Sequence, residues 1–352
     1  MSFNKSFLQN LLSTPGPSSF ESRAAAVWLE QAKSYGAKLG TDAYGVSFAT
    51  FNKDAEPKVM LAGHIDEIGL IVTYIDKEGL IYFKGVGGWD SQQLVGQRVR
   101  ILGYKGDVFG VIGKKPIHLM TGDDRNKVSK IEDLWFDIGA KDQDEAKGHV
   151  RIGDVAVIEQ PYLQLLNGRI ASKAIDNRIG AYIVLEAARR ASENKAKAEI
   201  VAVATTQEEI GNVGAGTAAH ELNPNVAIAV DVTHATDVPN VSKKDNGDVP
   251  FGSGANLAIG STIHRGVFNM LVETAEAEKI PYTIEANPSR TYTDADQIAK
   301  ARSGIPTAVV SIPNRYMHSP NETIDTGDLE HVIALIAAFI KRLDKKTKFV
   351  QP

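Results

Sequence analysis

Short, uninterrupted apolar runs are the most regular feature of this chain. They lie at residues 58–62, 199–206, 226–232 and 307–312. A strand of a parallel sheet that is covered on both faces has this pattern, because neither side of the strand meets water. The runs therefore predict buried strands of a parallel sheet.

Helical periodicity fills the segments between these runs. Apolar residues recur on one helix face after Asp176, along 268–280 and along 329–340. Ser18 and Glu21 have the spacing of a capping box, which predicts that a helix begins near them. Strands that alternate with helices favour an α/β sandwich.

The pattern of predicted secondary structure changes in the middle of the chain. Residues 70–166 consist of short β-like pieces separated by glycine, with no long helical stretch. We predict a small β-barrel-like domain here, inserted into a three-layer α/β/α catalytic domain made of residues 1–69 and 167–352. The acidic stretch at 141–148 is interpreted as a solvated turn of the insert.

Composition excludes several classes of protein. The chain has 352 residues and a formal charge of −4, so it offers no basic surface for nucleic acid. No apolar run approaches the roughly 18 residues of a membrane span, and we expect a cytoplasmic protein. Because the chain has no cysteine, any bound metal must be held by His, Asp and Glu.

Polar clusters follow the predicted strands where their carboxyl ends lie. They contain His64, Asp66, Glu208, Glu209, Asp231 and His318, and a further cluster places Asp176 at the start of a helix. Open α/β sheets bind ligands beyond the carboxyl ends of their strands, so these side chains can converge there. Carboxylates in one crevice repel one another unless cations neutralise them.

Bound divalent metal ions neutralise that repulsion. Two imidazoles with several carboxylates suit zinc, cobalt or manganese, and a shared carboxylate can hold two ions about 3.5 to 4 Å apart. His64 and His318 lie in turns rich in Gly, Ser or Pro, where a structural histidine has little purpose. The other histidines, including His234, are interpreted as surface or core residues.

Two assignments stay open on the residues alone. Asp66 either caps a turn or fixes the tautomer of a metal-bound His64. Glu208 and Glu209 either form a solvated strand end or have two different roles in one site. In the second case one glutamate holds metal and its neighbour is the general base for a metal-activated water, because adjacent extended residues point in opposite directions.

The ordered motifs resemble a known family, the M42 metallo-aminopeptidases, which include glutamyl aminopeptidases and the tetrahedral TET aminopeptidases. The motifs are AGHIDEIG (62–69), ASKAIDNRIGA (171–181), ATTQEEIGNVGAG (204–216), AVDVTHATD (229–237) and IPNRYMHSPNE (312–322). The resemblance spans nearly the whole chain. It implies a binuclear-metal enzyme, with zinc or cobalt, that removes N-terminal residues from short peptides.

The resemblance also implies a role for each residue. Asp176 would bridge the two metals, with His64 and Asp231 completing one site, and Glu209 and His318 completing the other. Glu208 matches the general base and Asp66 the carboxylate behind the first histidine ligand, and these two are the predicted catalytic residues. The segment 70–166 matches a dimerisation domain, and the implied assembly is a tetrahedral dodecamer built from dimers.

One motif departs from the family. Thr291 and Tyr292 stand where Gly-Gly is common, which should reshape the pocket for the first residue of the substrate. Arg265 or Arg290 could pair with an acidic substrate side chain, although a surface position is the preferred interpretation of both.

Two other functions remain as alternatives. An endo-1,4-β-glucanase would use a pair of carboxylic acids roughly 5 to 9.5 Å apart. A non-catalytic metal-binding assembly protein would keep the metal site without its chemistry.

Overall fold

The structure is a computed structural model that describes residues 3–350. The strands are β1 (Lys38–Thr41), β2 (Ser47–Phe51), β3 (Lys58–His64), β4 (Gly69–Ile75), β5 (Ile81–Val86), β6 (Arg98–Gly103), β7 (Gly106–Gly113), β8 (Trp135–Asp137), β9 (Val155–Ile158), β10 (Leu163–Gln164), β11 (Arg169–Ser172), β12 (Glu199–Thr205), β13 (Val226–His234), β14 (Ala255–Gly260), β15 (Tyr282–Asn287), β16 (Thr307–Asn314) and β17 (Glu322–Asp325). The helices are α1 (Lys5–Ser13), α2 (Ser22–Ser34), α3 (Ser91–Leu94), α4 (Gly122–Arg125), α5 (Gln143–His149), α6 (Ile175–Glu193), α7 (Val213–Leu222), α8 (Lys243–Asn246), α9 (Arg265–Glu278), α10 (Ala295–Ile298) and α11 (Thr326–Arg342).

An eight-stranded sheet in the order β1-β2-β12-β3-β13-β16-β14-β15 forms the centre of the larger part of the molecule. Its four central strands, β12, β3, β13 and β16, are parallel and almost wholly buried, which confirms the four predicted strands. Antiparallel pairing begins on either side, where β2 meets β12 and β14 meets β16. The parallel strands bring their carboxyl ends to one edge.

Helices cover the sheet and complete the predicted three-layer α/β/α arrangement. The long helix α6 packs on β3, β12 and β13, and α11 packs on α6 and α9. Helices α7 and α10 pack on each other and on the central strands. The predicted helices after Asp176, along 268–280 and along 329–340 are confirmed by α6, α9 and α11.

A closed barrel of β4, β5, β8, β7, β6 and β9 follows the first polar cluster, as the β-like texture predicted. Its interior is a hydrophobic core separate from that of the large sheet. The rings of Phe83 and Phe136 stack inside it with their centroids 4.2 Å apart.

A helix begins near Ser18 and Glu21 as predicted, but the capping box and one other local prediction were wrong. Ser18 and Glu21 do not form a capping box, because α2 begins at Ser22 and the Ser18 hydroxyl donates to Asp66 Oδ2 at 2.6 Å instead. The acidic stretch 141–148 is mostly helix α5, whose first turn is capped by the Asp142 side chain at 2.9 Å from the amide of Glu145. A distant partner decided the first outcome, whereas the cap of α5 is local, at a spacing of three residues that the sequence analysis did not use.

Close packing of β3 against α6 places two polar clusters side by side. A Cβ on Gly63 would lie 2.4 Å from the carbonyl carbon of Gly180, so only glycine permits this approach. Gly63 immediately precedes His64, and Gly180 lies one helical turn after Asp176. The close contact of the two backbones therefore brings these two side chains together.

Candidate metal centre

A cavity of about 490 Å³ lies at the edge where the parallel strands end. Six of the seven residues singled out from the sequence line it, namely His64, Asp176, Glu208, Glu209, Asp231 and His318. The seventh, Asp66, is fully buried and lies 3.4 Å from His64. Side chains from distant parts of the sequence thus meet in one place.

Asp176 lies between the two imidazoles. Its Oδ1 is 3.2 Å from Nε2 of His64, and its Oδ2 is 3.4 Å from Nε2 of His318. His318 Nε2 is also 3.4 Å from Oε2 of Glu209. Ligand atoms of His64, Asp176 and Glu209 lie within 4.8 Å of one another, a spacing that can hold a metal ion.

The backbone around Asp176 is irregular. Ala174 adopts a left-handed conformation with φ of 57°, and the Asp176–Asn177 peptide bond is cis. The Asn177 amide group donates to the carbonyl of Val230 at 2.7 Å, which ties the start of α6 to the strand that carries Asp231. That strand continues to His234, so Asp231 lies within β13, whereas the sequence analysis placed it in a polar cluster at the carboxyl end of a strand.

Asp66 connects two of the clusters from beneath. Its Oδ1 accepts from the amide of Glu208 at 3.1 Å, and its Oδ2 accepts from the amide of Glu209 at 3.2 Å. His64 Nδ1 lies 3.4 Å from Oδ1 and 3.2 Å from the backbone oxygen of Asp66. The two roles considered for Asp66, turn cap and support of the imidazole, are therefore geometrically compatible.

Glu208 and Glu209 face different partners. Glu208 Oε1 accepts from the side-chain amide of Asn212, and its Oε2 is 3.8 Å from His64 Nε2. Glu209 directs Oε2 at His318, while its Oε1 is buried without a hydrogen-bond partner among the described residues. An unpartnered buried carboxylate oxygen in a cluster of ligand atoms fits a bound cation.

The barrel closes over Glu209 through a loop that follows β5. Gly87 has φ of +77°, and a Cβ there would lie 2.6 Å from Cγ2 of Ile68 and 3.4 Å from Oε2 of Glu209. A Cβ on the next residue, Gly88, would lie 3.3 Å from His318 Nδ1. Glycine is required at the first position, and this loop of the insert lies against Glu209 and His318.

Burial and like charge strongly disturb the carboxyl groups. Burial, together with the charges of Asp231, Asp294 and Glu209, raises the pKa of Glu208 to about 10. Burial also raises the pKa of Asp231 well above its usual value. The cluster holds more buried carboxylates than its two imidazoles can neutralise, so its side chains favour either bound protons or a bound cation.

The neighbouring carboxylates also shift the pKa values of the two imidazoles. Hydrogen bonding with Asp176 and Glu209 raises the pKa of His318 to about 11. Burial opposes the charged form of His64, yet contact with Asp176 and Asp66 raises its pKa well above the usual value. Burial likewise opposes ionisation of Asp176, but hydrogen bonds with both imidazoles lower its pKa.

Glu322 was missed by sequence reasoning, although it ends the last quoted motif. It is buried, and its two oxygens accept from the amides of Asp176 and His318, each at 2.8 Å. Burial raises its pKa well above the usual value. One carboxyl group thus fixes two backbone segments that carry candidate ligands, a role that no residue spacing predicts.

A buried ion-pair network supports the first cluster from the other side. Glu67 accepts from Lys173 Nζ at 2.6 Å and from Arg178 Nη2 at 2.9 Å. Arg178 is fully buried and also donates to the backbone oxygen of Ile65 at 3.0 Å. This network anchors the segment between His64 and the barrel.

The departing motif lies at the mouth of the cavity. Thr291 and Tyr292 both line it, and Tyr292 is 76 % exposed. Arg265 and Arg290 are exposed and do not belong to the cavity lining. The preferred interpretation of these arginines as surface residues is confirmed.

Comparison with known proteins identifies the family. The profile described as M42 glutamyl aminopeptidase matches residues 45–335. The chain belongs to this family. The M42 resemblance seen in the motifs is therefore confirmed, and the chain is a peptide hydrolase of the aminopeptidase type.

None of the helices within residues 3–350 combines the length and the apolar character that a membrane-spanning segment needs.

Similar M42-type proteins match this chain along nearly its whole length. A lysyl aminopeptidase of Pyrococcus furiosus is 34% identical over 342 residues, which are 96% of each chain. The solved TET aminopeptidase of Thaumarchaeota archaeon SCGC AB-539-E09 has a TM-score of 0.92 at 34% identity and covers 97% of this chain, with 96% of its own chain matched. The TET1 peptidase of Pyrococcus horikoshii, described as assembling into a tetrahedron or a large octahedral shell, has a TM-score of 0.84 at 29% identity over 96% and 99% of the two chains.

We predict that zinc binding releases protons and weakens as the pH falls. The raised pKa values of His318 and Glu208, about 11 and about 10, mean that both groups hold protons at neutral pH until a cation displaces them. Calorimetric titration of zinc at pH 7 in buffers of different ionisation enthalpy should show about one or more protons released per ion.

Variants of two histidines test the source of those protons. His318→Ala should lower both the affinity and the number of protons released, whereas His118→Ala, on an exposed segment of the insert, should change neither. Zinc affinity that does not vary with pH would contradict this prediction.

Proposed function

We propose that this protein is a binuclear-metal aminopeptidase that removes N-terminal residues from short peptides. The observation that carries the proposal is the position of Asp176, whose two carboxylate oxygens face one imidazole each at 3.2 and 3.4 Å. A carboxylate placed in this way is suited to being shared by two divalent ions.

The proposed ligand sets are those that the M42 resemblance implies. Asp176 would be shared by the two ions, His64 and Asp231 would complete one site, and Glu209 and His318 would complete the other. Zinc or cobalt fits this mixture of imidazole and carboxylate donors. Cation binding is supported by the buried Glu209 Oε1, which has no hydrogen-bond partner within residues 3–350, and by the excess of buried carboxylates. When bound, the ions lower the pKa of water, polarise the scissile carbonyl and favour the ionised form of Glu208.

Glu208 is the proposed general base. Its Oε1 is held by Asn212, and its Oε2 points into the cavity near His64. In this role the carboxylate takes a proton from the attacking water as the carbonyl carbon is attacked. It then returns the proton to the leaving amine nitrogen, so that the peptide bond breaks with no net gain of protons by the enzyme.

Asp66 and Glu322 are proposed to act by positioning other groups. Asp66 holds the amides of Glu208 and Glu209 and contacts the ring of His64 from behind. A carboxylate in this position orients a ligand imidazole and raises its basicity. Glu322 restrains the backbone of the bridging residue, so small changes at either position should disturb the spacing of the whole cluster.

The alternative functions account for less of the cavity. Glycoside hydrolysis requires two carboxyl groups and gives no purpose to imidazoles that face Asp176. A non-catalytic metal-binding protein gives no purpose to a glutamate that is aimed into the cavity and held there by Asn212. The aminopeptidase uses both features.

We propose that residues 70–166 form a dimerisation domain and that dimers build a tetrahedral dodecamer, while 1–69 and 167–352 form the catalytic domain. Exposed apolar side chains on the insert support this, including Phe109 at 60 % and Leu119 at 68 % exposure. Light scattering should give a mass of about twelve chains of 38.0 kDa. A monomer at micromolar concentration would refute the assembly without touching the chemistry.

A panel of unblocked peptides and their N-acetylated counterparts tests the proposed activity. Only the unblocked peptides should release amino acids, because a free amine is part of what the site recognises. Activity should disappear on chelation and return with zinc or cobalt. Soluble cellulose serves as the control substrate. Chelator-resistant cleavage of cellulose would favour the glucanase, and no cleavage under any metal would favour the non-catalytic protein.

Glu208→Gln tests the general base. The substitution removes the proton acceptor but keeps the size and the hydrogen-bonding capacity of the side chain, so kcat should fall by about 10²- to 10⁴-fold. Metal content, measured by elemental analysis, should stay unchanged. The matched control is Glu221→Gln, on the exposed end of α7, which should leave both quantities unaltered. Near-normal turnover by Glu208→Gln would remove Glu208 from this role.

A further inference from the structure

One carboxylate in the cavity has no role in the proposed metal sites or in proton transfer. Glu285 lines the cavity from β15, the edge strand of the large sheet, whereas the metal cluster is centred on β3 and β13. No ion-pair contact joins Glu285 to either imidazole of the cluster among the described residues. It therefore offers a second polar point in the same cavity, separate from the metal centre.

Glu285 is oriented by a hydrogen bond from Thr233 and has no lysine or arginine as an ion-pair partner among the described residues. The Thr233 hydroxyl donates to its Oε2 at 2.6 Å, which fixes the carboxylate and leaves Oε1 available to a ligand. Within residues 3–350, no lysine or arginine forms an ion pair with it. A half-buried carboxylate that is held in place without a counter-ion can bind a cationic group with little loss of side-chain entropy.

The rest of the cavity lining suits a long cationic side chain. Val232 and Met317 contribute apolar surface, and the ring of Tyr292 lies at the mouth. Apolar surface of this kind packs against the methylene stem of lysine or arginine while the charged head reaches a polar group. An aromatic ring adds attraction for a cation.

Apart from the imidazoles of His64, His234 and His318, the ionisable side chains of the lining are acidic. No lysine or arginine belongs to it within the described part of the chain, and the nearest arginine in sequence, Arg290, is exposed with its guanidinium 5.9 Å from the Tyr292 ring centroid. An acidic first side chain would meet Glu285 with no lysine or arginine of the described lining to offset the repulsion.

We infer that Glu285 selects peptides whose first residue is basic, by pairing with its ammonium or guanidinium group. The inference rests on the proposed aminopeptidase function and names the substrate class of that site. Thr233 is the positioning residue for the carboxylate, and the alkyl stem of the substrate lies along Val232 and Met317. The free amine and the scissile carbonyl remain at the metal cluster.

The test compares kcat/KM for unblocked substrates that differ only in the first residue: lysine, arginine, N6-acetyl-lysine, leucine and glutamate. Lysine and arginine should exceed N6-acetyl-lysine by about tenfold or more, because only the charged heads pair with Glu285. Glutamate should be the poorest substrate. Glu285→Gln should lower the lysine-to-leucine ratio by about 10- to 100-fold, and Glu285→Lys should raise the glutamate-to-lysine ratio.

The matched control is Glu278→Gln, an exposed glutamate at the end of α9 and outside the cavity, which should leave every ratio unchanged. A readout without turnover uses calorimetric binding of lysine and norleucine to Glu208→Gln. Lysine should bind more tightly, and the difference should vanish when Glu285→Gln is added.

The outcomes separate the two proposals. Cleavage of unblocked substrates with a lysine-to-leucine ratio that Glu285→Gln does not change would overturn the inference and leave the aminopeptidase standing. No cleavage of any unblocked substrate would overturn the proposed function. In that case equal binding of lysine and norleucine would overturn the inference as well, and tighter binding of lysine through Glu285 would support it.

Discussion

Repulsion among buried carboxylates is the constraint on which the rest of this structure depends. Asp176, Glu208, Glu209 and Asp231 share one cavity, and His64 and His318 are the imidazoles in contact with them. If these groups were separated in water, each would ionise independently. Burial raises the free energy of each charged form, and it strengthens the effect of each neighbouring charge on the pKa. A fold that brings them together must either supply cations or keep protons on several of them, and both solutions serve the chemistry of metal-assisted hydrolysis.

Rigid contacts in the fold maintain this crowded arrangement. The approach of Gly63 to Gly180 joins the strand that carries His64 to the helix that carries Asp176. Glu322 and Asp66 hold the backbone amides of the neighbouring clusters with their carboxyl oxygens. These contacts are made by the backbone or to it, so the spacing of the ligand atoms depends little on flexible side chains.

The proposed function and the further inference assign two kinds of recognition to one cavity. In the proposed function, the metal cluster at the strand ends binds the groups that all peptides share, the free amine and the first carbonyl. Glu285 lies on a different strand, β15, and in the inference above it faces the part of the substrate that varies. In these proposals the central strands carry the chemistry and Glu285 on the edge strand carries the selectivity, and Tyr292 lies at the mouth of the same cavity.

The sequence by itself determined the central strands, the main helices, the β insert and the family. Continuous apolar runs and ordered motifs are local signals. A short apolar run is typical of a strand in a sheet that is covered on both faces, so each run predicts a buried strand. Only the tertiary structure decided which atoms meet. Glu322, Asn212 and Glu285 gave no signal in their spacing, and Ser18 left its predicted capping box to bind Asp66. The physical reason is that a hydrogen bond or a charge contact depends on distances between segments far apart in the chain, which periodicity does not encode.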